Sequence, residues 1–218
     1  ESGLRSRDRR MPEETNRVLT DHMADLLWTH SKEADANLQA EGVDAHRIVR
    51  VGNVMIDTLV RLLPEIRTTN LESQPDRPYV VATFHRPSNV DDPGKLREVL
   101  AQLRGLRSAH EVVLPLHPRT RKRIDEFGLW AEASELTLLP PLNYKSFLCL
   151  VAGADAVITD SGGIQEETSY LRIPCLTVRE TTERWVTVNA GTNRLIAAAG
   201  LSAAMAEVSR GSWSKGSE

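Results

Sequence analysis

Short, predominantly apolar runs, each followed by a stretch with helical spacing, recur along most of this sequence. Residues 79–84, 111–115, 136–139, 156–159 and 174–178 are such runs, and residues 93–106, 119–127, 144–152 and a segment opening at Gly162 read as helices between them. A strand with one face in water alternates polar and apolar side chains, so a strand with no polar side is covered on both faces. Helices that alternate with such strands supply that cover when the sheet is parallel, because parallel neighbours need a crossover connection. The predicted fold class is therefore α/β, with a doubly wound parallel sheet.

The chain ahead of this pattern is different. Residues 12–28 carry Val18, Leu19, Met23, Leu26 and Leu27 near helical spacing, behind a proline and two glutamates that suit a first helical turn. Residues 31–42 open on Ser31 as an N-cap and close on Gly42, which predicts a second helix. Residues 48–51 read as a short strand, and residues 67–77, rich in Thr, Asn, Ser, Pro and charge, as a loop or linker.

Composition narrows the function. With 40% hydrophobic and 26% charged residues over 218 positions, the chain is of the globular kind rather than the disordered kind. Its 27 Lys and Arg against 30 Asp and Glu leave a net charge of -3, which argues against a surface built for nucleic acid. No apolar run approaches the length of a membrane span, so no membrane partner is expected, and the first residues lack a signal peptide's apolar stretch. Cys149 and Cys175 are too far apart for a CxxC redox or zinc pair, and a reducing cytoplasm fits them best.

Three segments at the carboxyl ends of predicted strands could carry chemistry. Thr159 to Glu167 leaves a buried strand and opens a helix, so the amides of Ser161, Gly162 and Gly163 would stand at a helix N-terminus, where they suit an anion such as phosphate. Glu167, one turn on, could reach a sugar hydroxyl. The same residues also make an ordinary strand–helix turn capped by Ser161. His85 and Arg86 follow another strand, where each could donate to phosphate or serve only structure. After a third strand, His117 precedes the cations Arg119, Arg121, Lys122 and Arg123, which read as a solvated helix face. Beyond residue 178, Arg184 could stabilise a diphosphate, with surface pairing as its alternative. Glu1, Glu13 and Glu14 are carboxylates that say nothing by themselves. No G-x-G-x-x-G, P-loop, H-E-x-x-H or clustered metal ligands occur, so neither cofactor nor metal is expected.

In order along the chain, residues 1–6, 11–17, 51–57, 85–87, 141–144, 159–167, 181–184 and 190–193 resemble the motifs of one family, the non-hydrolysing UDP-N-acetylglucosamine 2-epimerases, which look like GT-B glycosyltransferases in fold. The resemblance implies a Rossmann-like fold and a chain lacking most of the family's first domain. On that comparison Glu1 is the carboxylate of a motif late in the first domain, an aspartate near the sugar has no counterpart, and the family's closing helix is shortened or absent. Residues 1–52 would then be a remnant of the first domain, residues 53–210 the UDP-binding second domain, and residues 211–218 a disordered tail with too little apolar content to pack. Ser2 stands where alanine is usual, and Trp185 where proline is usual.

Carried over position by position, the resemblance implies that Ser161, Gly162 and Gly163 bind the diphosphate, with His85 and Arg184 near the same charge. Glu167 would hold the ribose, and Phe147 with the backbone around Leu142 would contact the uracil. Glu1 and Glu13 would do acid and base work, with His85 a third catalytic candidate. The implied reaction eliminates UDP to a 2-acetamidoglucal and adds it back, interconverting UDP-GlcNAc and UDP-ManNAc. A UDP-sugar substrate, a cytoplasmic homodimer and a place in polysaccharide biosynthesis are implied with it. A GT-B glycosyltransferase and a non-catalytic UDP-sugar-binding fragment are the alternatives.

Overall fold

The structure is a computed structural model, and it describes residues 1–69, 71, 74–211 and 213. Two parallel sheets organise it. The smaller joins β1 (Leu27–Thr29) to β2 (Ile48–Arg50), with α1 (Pro12–Met23) and α2 (Lys32–Ala40) around them. Helix α3 (Val54–Thr68) leads to the larger sheet of β3 (Tyr79–Thr83), β4 (Glu111–Pro115), β5 (Thr137–Leu139), β6 (Ala156–Thr159), β7 (Cys175–Val178) and β8 (Asn193–Ile196). Between and after them run α4 (Pro87–Val90), α5 (Pro93–Gly105), α6 (Pro118–Glu126), α7 (Trp130–Ala133), α8 (Tyr144–Ala152), α9 (Gly162–Leu171), α10 (Trp185–Asn189) and α11 (Leu201–Ser209).

The spatial order β5-β4-β3-β6-β7-β8, parallel at every pairing, is that of a Rossmann-like doubly wound sheet. Alternate residues of one strand serve opposite faces: Val80 and Ala82 join the core that contains Leu96, Leu100 and Leu103 of α5, while Tyr79 and Val81 join the one that contains Leu150 and Val151 of α8. Both sides of β3 are thus dry, which is why its sequence has no polar alternation.

Four readings of the sequence need correction. The first helix stops at Met23, and Leu27 to Thr29 form β1, with Leu27 and Thr29 inward and Trp28 outward; the period there is two, which apolar spacing over a short window did not separate from helix. The segment read as a loop from residue 67 begins inside α3, whose amphipathic run packs on α8 and α9; residues 70, 72 and 73 of that segment lie outside the described residues. Strand β8 is an edge strand with exposed Arg194, so it lacked the continuous apolar signal of its neighbours. Trp213, in the segment expected to pack poorly, lies against the α5 core, donates its indole N–H to the Thr192 carbonyl at 3.3 Å and sits under the Arg194 guanidinium. Residues 212 and 214–218 lie outside the described residues.

Candidate active site

Sheet order decides where the site lies. Strands β3 and β6 are neighbours whose crossovers run to opposite sides, and the crevice beyond their carboxyl ends is where such sheets receive ligands. From β3 the chain leaves through Phe84, His85 and Arg86; from β6 it leaves through Asp160 and Ser161 into α9. The fully buried Asp160 carboxylate ties the two exits together. It accepts the backbone N–H groups of His85 (3.1 Å) and Arg86 (2.9 Å) and the Asn89 side-chain amide (3.1 Å), and His85 Nδ1 lies 3.1 Å from it. Burial pushes the Asp160 carboxyl up, but these donors outweigh it and hold the group below the ordinary carboxylate range.

Helix α9 starts at Gly162, as expected, but the first of the three expected amides is already engaged: Ser161 N–H donates to Thr159 Oγ1 at 3.0 Å. The Ser161 hydroxyl makes no cap hydrogen bond, so the hydroxyl and the amides of Gly162 and Gly163 are left at the open first turn, where a helix N-terminus suits an anion. A β-carbon on Gly162 would collide with the Glu183 carboxylate, and one on Gly163 would come 2.9 Å from the Met55 methyl.

Cations and carboxylates alternate around this turn. Glu183 is buried and accepts from Arg179 at 2.8 Å, with Arg17 at 3.7 Å and Arg86 at 3.9 Å. Burial opposes its charge, but Arg179 and Arg17 outweigh burial and bring its carboxyl down to about 2. Buried Arg184 reaches Glu1 at 2.5 Å, and its Nε stands 3.1 Å from Glu166 without hydrogen-bond alignment. Glu1 also takes Arg17 at 3.1 Å; although burial opposes it, the two arginines hold its carboxyl below the usual range. Glu13 is more exposed and lies 4.0 Å from Arg86.

The amino-terminal segment is held in place to make these contacts. Gly3, at φ +77°, passes so close to Ala34 that no side chain fits, and its N–H donates to Asp21 at 2.9 Å. Arg5 pairs with Asp21 and Glu41 at 2.8 and 2.7 Å, and buried Glu14 takes the Ser6 and Arg7 amides at 2.9 and 2.7 Å.

Thus Glu1, Glu13, His85, Gly162 and Arg184 converge. Glu167, Leu142 and Phe147 lie along α9 from this cluster. Tyr144 donates to Glu167 at 2.7 Å, and Leu142 and Phe147 pack against the core that also receives Ile164. Arg119, Arg121 and Lys122 are exposed, as a solvated face requires, and on that face Arg119 and Arg123 both pair with Asp91, at 2.5 and 2.9 Å. His117 lies with its ring centroid 5.1 Å from that of His85. Sequence reasoning passed over Asp160, Glu166, Arg179 and Glu183 as individual groups; each is an ordinary charged residue within or beside a motif, and only burial distinguishes it. A cleft of about 500 Å³ opens beside the cluster, bordered by Arg10, Arg86, Lys95, Arg179 and Ala197.

The chain is 38% identical over 207 residues to the UDP-N-acetylglucosamine 2-epimerase of Methanocaldococcus jannaschii, a match covering 90% of this chain and 57% of the relative. It is 39% identical over 202 residues to the UDP-2,3-diacetamido-2,3-dideoxy-D-glucuronate 2-epimerase of Pseudomonas aeruginosa, covering 91% and 56%. The crystal structure of the M. jannaschii enzyme in complex with UDP-GlcNAc and UDP superposes with a TM-score of 0.87 at 34% identity, covering 95% of this chain and 61% of that one. The chain therefore spans somewhat more than half the length of these relatives. Since the family model for UDP-N-acetylglucosamine 2-epimerase matches residues 1–212, the chain belongs to that family.

Proposed function

We propose that this chain carries the nucleotide-binding half of an enzyme that interconverts UDP-GlcNAc and UDP-ManNAc by eliminating UDP and adding it back. The observation that carries the reading is the convergence, at one sheet switch point, of an open helix N-terminus, the His85 imidazole, the cations Arg86 and Arg184, and the carboxylates Glu1 and Glu13. The division at residues 1–52 and 53–210 is part of the same reading.

Elimination breaks two bonds. A base takes the proton from C2, the C1–O bond breaks, and its electron pair leaves on the diphosphate, giving a 2-acetamidoglucal. Return of a proton to the other face of C2 and re-addition of UDP complete the epimerisation. The leaving charge develops where the Gly162 and Gly163 amides and the Arg184 guanidinium are already fixed, so little reorganisation is needed when it forms. Glu1, kept ionised between Arg184 and Arg17, carries no proton and so can accept one, although the two arginines weaken it as a base, and Glu13, beside Arg86, serves the return. Glu167, behind Tyr144, holds the ribose, and Phe147 with Leu142 flanks the base. Cytoplasmic location fits the two free, buried cysteines. Assembly as a homodimer and a place in polysaccharide biosynthesis rest on the resemblance.

Titration calorimetry with UDP tests the binding half. Measurable affinity that falls about tenfold or more in Glu167→Ala and Ser161→Ala is expected; no binding at millimolar UDP, or binding indifferent to both changes, overturns it. The reaction is tested on an enzyme completed with the remainder of the family fold: run in deuterium oxide, its product should carry one deuterium at C2.

A further inference from the structure

Among the described residues, every polar partner of the Asp160 carboxylate is a nitrogen. Oδ1 and Oδ2 together accept two backbone N–H groups and one side-chain amide, and His85 Nδ1 stands 3.1 Å from Oδ1, within reach but short of the alignment of the other three. An ionised carboxylate has no proton to give, so the contact is attractive only with a proton on the His85 nitrogen that faces it. His117, whose ring is the neighbour of His85, is fixed the other way: its Nδ1 faces the Arg119 backbone amide at 3.1 Å, and an amide can only donate, so that nitrogen carries no proton.

We infer that Asp160 is the positioning residue of the site, holding His85 with its proton on Nδ1 so that Nε2 is turned toward the crevice. The same carboxylate aligns the exits of β3 and β6, and through Asn89, which also donates to the Val178 carbonyl at 3.0 Å, the exit of β7. Asp160 is fully buried behind the backbone and does not reach a ligand itself. It acts through the ring, as the orienting acid of a hydrolase triad acts through its histidine. The functional part of this inference rests on the UDP-binding reading above; the tautomer does not.

Nitrogen-15 spectra of the imidazoles in the 218-residue chain test it directly, with His85 assigned by its loss in His85→Gln. Spectra are followed up the pH scale until ring resonances stop moving. His85 should then show a protonated Nδ1 and a bare Nε2, while His117 shows the reverse and serves as an internal control. Free histidine prefers the proton on Nε2, so His85 in that form, or as a rapid mixture, overturns the inference. The wild-type measurement stands even if variants at this buried site fold poorly. Where Asp160→Asn folds, UDP affinity should drop about tenfold, with little further loss in the double variant carrying His85→Gln. An equal additional loss in the double variant would mean that Asp160 does not act through His85. Absence of UDP binding beside the expected tautomers would overturn the nucleotide reading and leave the positioning role intact.

Discussion

Tyr144 Oη donates to Glu167 Oε1 at 2.7 Å, so the carboxylate expected to hold a ribose is already oriented by a phenol from the preceding helix. Burial and the neighbouring Glu166 raise the Glu167 carboxyl above its ordinary 4.5, and the Tyr144 hydrogen bond only partly offsets them. The folded chain thus holds this proton more tightly than the unfolded chain, and the group costs stability as pH climbs above about 4.5. Glu167→Gln keeps an acceptor for Tyr144 and removes the charge. Its melting temperature should exceed that of the parent near pH 7 and match it near pH 4, while UDP affinity falls. Equal melting at both pH values would show that the carboxylate is not penalised.

Glu183 should behave in the opposite sense. Its carboxyl lies at about 2 in the folded chain against 4.5 unfolded, so its contribution is fully present above the unfolded value and is lost as pH falls toward 2. The side chain is almost wholly buried. Glu183→Gln should therefore cost on the order of 3 kcal/mol near pH 7, and less as the solution is acidified. Urea unfolding from about pH 7 to pH 3 reads the difference; a gap that does not narrow would show that Arg179 and Arg17 are not its partners.

The strand–helix alternation was legible because β3, β4, β6 and β7 are covered on both faces, leaving no alternation of polar and apolar residues to blur the pattern. Strand β1 and edge strand β8 were not, since each is short and partly wet and its period is hidden in a few residues. In the site, Gly162, His85 and Arg184 could be singled out because motif and strand end coincide there. Glu183 and Asp160 could not, because a carboxylate's importance here comes from burial among donors contributed by residues up to 166 positions away, and no local spacing encodes that. Trp213 shows the converse: composition around it reads as a loose tail, and one ring on Arg194 suffices to hold it.

The two glycines of the α9 turn should differ sharply. A methyl on Gly162 must displace the Glu183 carboxylate, which Arg179, Arg17 and Arg86 hold in place, whereas a methyl on Gly163 meets only the free end of Met55. Gly162→Ala should lose about 2 kcal/mol or more and UDP binding with it. Gly163→Ala should change stability by less than about 1 kcal/mol, since a helical Gly→Ala gain offsets the contact. Chemical denaturation of both variants checks this, and similar losses would mean that Glu183 moves freely.

The last prediction concerns the small sheet. Trp28 and Val49 are register partners on β1 and β2 and both point outward, and Met23, Leu26, Val51 and Val54 extend the exposed apolar surface around them. A two-stranded parallel sheet with one bare face is marginal in water, because parallel strands are ordinarily covered on both sides. On the proposed reading this face receives the remainder of the two-lobed family fold, which the matches to 56–57% of the relatives' length leave unrepresented. The 218-residue chain alone should then self-associate with rising concentration and bind a hydrophobic dye. Trp28→Ser with Val49→Thr should weaken both effects without changing UDP affinity, because neither residue contacts the α9 turn. Adding the first half of a relative as a separate polypeptide should suppress dye binding in the parent chain and not in the double variant. A parent chain that sediments as a dye-free monomer at high concentration would show that the face is stable in water, and would remove the physical reason for placing the missing half there.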